Sequence, residues 1–105
     1  NSRILSDYVD STLGKLLDYD AKNNTDCAEL LRCYFENDCS VKEVADIFGV
    51  HRNTVNYKLK QIRELLASSF SDEDKMNLLL AFRARELLNM ENSKLIMEDD
   101  SYECN

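Results

Sequence analysis

Apolar residues along this chain recur at helical spacings almost from end to end. Between Ile4 and Tyr19 they fall at Ile4, Leu5, Tyr8, Val9, Leu13, Leu16 and Leu17, intervals of three and four that predict an amphipathic helix. Gly14 weakens that helix locally, and the polar run "DAKNNTD" breaks the pattern. Asp26, with Glu29 three residues on, fits a capping arrangement for a second helix through Leu30, Leu31, Tyr34 and Phe35, ending near "ENDC". Ser40 and Glu43 form a cleaner capping box ahead of a short helix, Val41 to Phe48. Gly49 should stop it, because helices commonly end in a left-handed residue that glycine adopts cheaply. A new helix must then begin within three residues, since Val55, Leu59, Ile62 and Leu66 keep a strict 4-3-4 spacing.

Ser71 and Asp74 mark one more helix start, with Asp72 and Glu73 in the first turn, where the helix dipole favours negative charge. The helix expected from Asp72 to about Met90 is the most apolar in the chain. Leu78, Leu79, Leu80, Phe82, Leu87 and Leu88 exceed a single stripe, so it is either central to the core or shared with a second subunit. Residues 93–105, "SKLIMEDDSYECN", carry one Lys against four acids and read as an acidic, flexible tail beyond a single domain over 1–92. The fold class is therefore all-α, a small domain of about five helices. Composition agrees: 105 residues suit one domain, proline is absent, and two glycines leave little material for tight hairpin turns.

A short helix, a three-residue turn containing Gly49, and a longer helix make a helix-turn-helix over 40–66, with the recognition helix at about 52–66. Ala45 is small where the two helices should cross, and Val44, Phe48, Val50 and Val55 are expected to fill the wedge between them. On a helical wheel Val55, Leu59, Ile62 and Leu66 share one narrow sector. Asn53, Thr54, Tyr57, Lys60 and Gln61 occupy the opposite face, Arg52, Asn56 and Arg63 border the apolar stripe on one side, and Lys58 borders it on the other.

Charge sharpens this reading. Gly49 to Arg63 holds Arg52, Lys58, Lys60 and Arg63 and no carboxylate; the remaining 9 basic and 20 acidic residues carry −11, and the four tract cations bring the chain to −7. Asn pairs bidentately with adenine, Arg with guanine, and a Thr methyl meets the thymine methyl, but only the first turns of a recognition helix reach base edges. Arg52, Asn53, Thr54, Asn56 and Tyr57 are thus candidates for bases or nearby phosphates, and Lys58, Lys60 and Arg63 for phosphate. The acidic remainder repels DNA, so a single copy should bind weakly, and a dimer on two half-sites is expected.

Other chemistry has little support. His51 is the lone histidine; it stands where the recognition helix begins and is expected to cap it or meet a phosphate. Cys27, Cys33, Cys39 and Cys104 match no zinc spacing and are expected to be reduced thiols, so neither metal nor cofactor is expected. No nucleophile, base or metal set points to an enzyme. The apolar runs are too short for a membrane span and the N-terminus lacks signal-peptide character, which predicts a cytoplasmic location. The chain starts without methionine, which suggests a piece of a longer protein.

The stretches "LGKLLDYD", "ELLRCYFENDCSVKEVADIFGVHRNTVNYKLKQIRELL" and "LLLAFRARELL" resemble the C-terminal helix-turn-helix domain of PucR-family transcriptional regulators over roughly Leu13 to Leu88. "HRNTVNYKL" is the most specific part, and its "RNT" is also similar to Fis-type domains. The resemblance implies a module that binds promoter DNA at the end of a longer bacterial regulator whose upstream domain senses a small molecule. It assigns DNA contacts to His51, Arg52, Asn53, Thr54, Tyr57 and Lys58. Lys58 stands where the family often has Arg, Cys39 occupies a loop position often small or Gly, and the acidic tail has no counterpart. The alternative from another class is a helical interaction or dimerisation module that uses the apolar 72–90 helix and whose helix-turn-helix no longer binds DNA.

Overall fold

Each segment marked by apolar spacing is a helix in the computed structural model, which describes the backbone of residues 2–103 and the side chains of residues 2–93. Five α-helices follow in order: α1 (Ser2–Asn23), α2 (Cys27–Glu36), α3 (Val41–Phe48), α4 (Arg52–Leu66) and α5 (Asp72–Glu103). No strand occurs among the described residues. One core joins all five: Leu13 and Leu16 of α1, Leu30 and Leu31 of α2, Val44 of α3, Val55, Leu59 and Ile62 of α4, and Leu78, Ala81 and Phe82 of α5 are all buried.

The start of α2 differs from the expected capping box. Asp26 occupies the N-cap position but has ψ 38° instead of the extended value that aims a side chain at the first turn, and it makes no cap hydrogen bond. The carboxylate of Asp20, in the last turn of α1, does that work instead. It accepts from the backbone N–H of Cys27 at 2.8 Å and of Ala28 at 2.9 Å, and from the Thr25 hydroxyl at 2.6 Å. Helix α1 accordingly runs to Asn23, four residues beyond the end of its apolar pattern at Tyr19. At α3 the Ser40 hydroxyl accepts from Glu43 N–H at 3.2 Å as expected. The reciprocal half of that box is replaced, because Ser40 N–H donates to the carbonyl of Asn37.

Four helix ends share one closure. Thr25, Cys39, Val50 and Ser68 each donate a backbone N–H to the carbonyl five residues back, at Asp20, Tyr34, Ala45 and Arg63, with a left-handed residue just before the donor in each case: Asn24, Asp38, Gly49 and Ala67. Cys39 is itself left-handed, φ 59°, which accounts for glycine suiting that position. The loop after α4 folds Phe70 back onto α2, edge-on to Phe35 with ring centroids 5.4 Å apart.

Helix α5 lies along α1, where the Tyr8 hydroxyl donates to the Asn77 side chain at 2.6 Å, and Arg32 of α2 pairs with its Glu86. The core expectation for this helix holds on one part of its circumference. Leu78, Ala81, Phe82 and Ala84 are buried in the core, and Met76, Leu80, Leu87 and Met90 stand exposed on an adjoining face. Its helical backbone continues past Met90 to Glu103. Of the acidic tail expected over 93–105, the backbone to Glu103 belongs to α5, and the side chains from 94 onward and residues 104–105 lie outside the described residues.

Asp20→Ala should lower stability by about 1–2 kcal/mol, the loss typical of an N-cap acceptor, and Asp26→Ala should lower it by no more than a few tenths. Urea unfolding followed by far-ultraviolet circular dichroism distinguishes the two, and an equal loss from both would place the cap on Asp26 after all.

Candidate nucleic-acid interface

Helix α4 owes its orientation to its inner stripe. Val55, Leu59 and Ile62 are each no more than 1% exposed and pack against α3, α1 and α2, with Leu66 half-buried behind them. Gly49 has φ 67°, ψ 36°, and its N–H, like that of Val50, donates to the Ala45 carbonyl, so the chain leaves α3 at a sharp angle. Ala45 is buried at the crossing with Val44, and Phe48 is half-buried. Val50, expected in the wedge, is instead 38% exposed: the left-handed turn rotates it outward.

His51 then starts α4. Its backbone is extended, φ −72°, ψ 146°, and its ring Nδ1 accepts from Asn53 N–H at 3.0 Å. With Nδ1 accepting, Nε2 is the ring nitrogen left to donate.

Beyond this cap the outward face is open. Arg52, Asn53, Thr54, Asn56, Tyr57 and Lys60 are all exposed, Tyr57 at 63%, and among the described residues none of these side chains bonds to another helix. One contact runs along the face itself, from the Gln61 amide to the Tyr57 hydroxyl at 3.3 Å. Gln61 thus steadies the ring that precedes it by one turn, a partnership the i, i+4 spacing contains but the candidate set omitted.

Two expected phosphate contacts are placed differently. Lys58 is half-buried and turns toward the start of α2, with its ammonium 3.9 Å from the Asp26 carboxylate. Arg63 lays its guanidinium over the Phe70 ring, 4.7 Å from the centroid, on the flank that meets α2. Both border the apolar stripe, and each finds its partner in the adjoining scaffold. Lys42 on α3 is an exposed cation missed by the sequence reading. It shares a shallow groove with Asp46, Val50, His51 and Arg52, where the first helix of such a motif crosses the DNA backbone.

The described cysteines, Cys27, Cys33 and Cys39, lie outside α4. Cys27 is buried at the start of α2, and burial pushes its thiol above the ordinary range. Among the described residues no three His, Cys, Asp or Glu side chains are grouped to hold a metal ion. Nor is any described helix long and apolar enough to cross a membrane.

The chain matches the PucR C-terminal helix-turn-helix domain family over residues 27–84, more than half its length, which takes in α2, α3, α4 and the buried part of α5. It is 36% identical over 86 residues to the purine catabolism regulatory protein of Bacillus subtilis (strain 168), covering 81% of this chain and 16% of that protein. It is 33% identical over 66 residues to the proline-responsive transcriptional activator PutR of the same organism, covering 63% of this chain and 16% of the relative. The DNA-binding transcriptional activator AdeR, also from that organism, is 33% identical over 54 residues, covering 51% of this chain and 13% of its own length. The chain therefore spans about a sixth of the length of the first two relatives. No solved structure matches it.

The His51 cap yields a direct test of the start of α4. His51→Ala should destabilise the domain by about 1 kcal/mol, and His51→Asn, which returns a side-chain acceptor to the same place, should recover most of that loss. Thermal unfolding of the two variants reads the difference, and equal melting points would mean that the imidazole is not the cap.

Proposed function

The chain belongs to the PucR C-terminal helix-turn-helix family, a class of transcriptional-regulator domains and not of enzymes, and from that membership we propose that it binds duplex DNA sequence-specifically. Helix α4 enters the major groove. The observation that carries this reading is the division of that one helix: Val55, Leu59 and Ile62 are buried, and Arg52, Asn53, Thr54, Asn56, Tyr57 and Lys60 stand together on an exposed face that carries no carboxylate before Glu64. Asn53, Thr54 and Asn56 lie in the first turns, where base edges come within reach, and His51 meets a phosphate through its Nε2. Lys42 and Lys60 add phosphate contacts from α3 and from further along α4. The domain forms the DNA-binding end of a longer cytoplasmic regulator whose remaining region senses a small molecule.

A homodimer completes this reading. Met76, Leu80, Leu87 and Met90 are each more than half exposed and fall at helical intervals along one face of α5, the kind of apolar stripe that a second copy of the chain covers. Two copies place two recognition helices on one duplex and offset the repulsion from a net charge of −7.

Fluorescence anisotropy with duplexes that include the promoter of the parent gene tests the DNA reading. Affinity should fall steeply with salt; Lys60→Ala should weaken all sequences alike and reduce the log–log salt slope by about 1, whereas Asn53→Ala should change the order of preference among sequences. Absent or salt-insensitive binding would leave the helical interaction module as the better account. For the dimer, Leu80→Lys should halve the mass seen by sedimentation and weaken DNA binding, with the helical melt unchanged; a wild-type chain that sediments as a monomer at every concentration would overturn it.

A further inference from the structure

We propose that Lys58 serves DNA binding through Asp26: it neutralises an acidic corner beside the recognition helix and does not grip phosphate itself. This rests on the DNA-binding reading above and assigns a role to a pair that the reading leaves unexplained.

Three observations lead to it. Asp26 holds the N-cap position of α2 but makes no cap bond, because Asp20 already satisfies the N–H groups of Cys27 and Ala28. Its carboxylate therefore makes no hydrogen bond to the start of its own helix. Its ion-pair partner lies instead on α4, where the Lys58 ammonium is 3.9 Å away. Finally, the Lys58 side chain is 30% exposed and follows the flank of α4 toward α2, away from the outward direction taken by Lys60.

The Cys27 thiol senses the same arrangement. Burial raises it most, the Thr25 hydroxyl lowers it, and beyond that the Asp20 charge pushes it up while Lys58 pulls it down, so the Lys58 charge is felt at the start of α2. Left alone, the Asp26 carboxylate at the flank of a helix in the major groove would act on the adjoining phosphates within a screening distance of about 8 Å. A lysine ammonium is a compact point charge, sufficient for neutralising a corner, whereas bidentate phosphate recognition favours arginine. The 105-residue chain thus keeps one of its four tract cations as a shield for those on the outward face, Arg52 and Lys60.

The test is a double-mutant cycle on the 105-residue chain, using anisotropy with a short mixed-sequence duplex across a potassium chloride series, with circular dichroism melts confirming that each variant is folded. Asp26→Asn should tighten binding several-fold. Lys58→Ala should weaken it several-fold in the wild-type background and have little effect when combined with Asp26→Asn. Equal effects of Lys58→Ala in the two backgrounds, including none in either, would overturn the proposal, as would unchanged affinity for Asp26→Asn. A loss in both backgrounds with the salt slope reduced by about 0.9 would identify a direct phosphate contact instead. If the unmodified chain shows no salt-sensitive binding to any duplex, the DNA-binding reading itself fails and this role falls with it, an outcome distinct from a failed cycle in a chain that binds.

Discussion

Burial of the narrow stripe Val55, Leu59 and Ile62 is the constraint on which the rest of this molecule turns. Helix α4 has 15 residues, many of them polar, and a helix of that length is marginal in water, so its register and tilt come from the side chains it hides. Once those three are seated, the angle of every other residue on α4 is determined to within the geometry of a helix. The polar face then points outward because the apolar one points inward. The cap at His51 and the left-handed residue Gly49 act on the same element from its N-terminal end: they determine where the helix begins, and so which residues occupy the first turns.

The helices α3 and α4 and the turn between them were legible in the sequence because each depends on local rules. Ser40 supplies an acceptor three residues from its donor, Gly49 supplies a conformation, and the 4-3-4 spacing supplies a buried sector. What could not be read is contact between parts of the chain whose separation a helical wheel does not see. Asp20 caps a helix seven residues on, across a turn, and so displaces the nearer Asp26. Lys58 and Arg63 were correctly placed at the borders of the stripe, but a wheel does not reveal that one border faces Asp26 and the other Phe70. The C-terminal limit of α5 was missed because amphipathic periodicity ends near Met90, whereas the helical backbone has no need of it.

The scarcity of glycine hid a second regularity. With only two glycines and no proline, the sequence offers few turn signals, yet four of the five helices close by the same backbone hydrogen bond over five residues. Asn24, Asp38 and Ala67 take left-handed conformations that cost a non-glycine residue of order 1–2 kcal/mol, and Gly49 alone takes one cheaply. The closing hydrogen bonds and the burial of the helices they join offset that cost. The turn that aims α4 is the one made with glycine, where a side chain would meet no neighbour and only the backbone would object.

The open face of α4 has a consequence for how such a module diversifies. Arg52, Asn53, Thr54, Asn56 and Lys60 bond to no other helix among the described residues, so their identity is uncoupled from the stability of the scaffold. Exposed helix positions of this kind tolerate exchange within about 0.5 kcal/mol. On the proposed DNA-binding reading, descendants of one ancestral gene can therefore acquire new addresses on the chromosome by drift at these few codons alone, while the buried stripe and the caps remain under selection for folding. On that reading, addressing and folding are inherited separately in this small domain, although both draw on the same fifteen residues of α4.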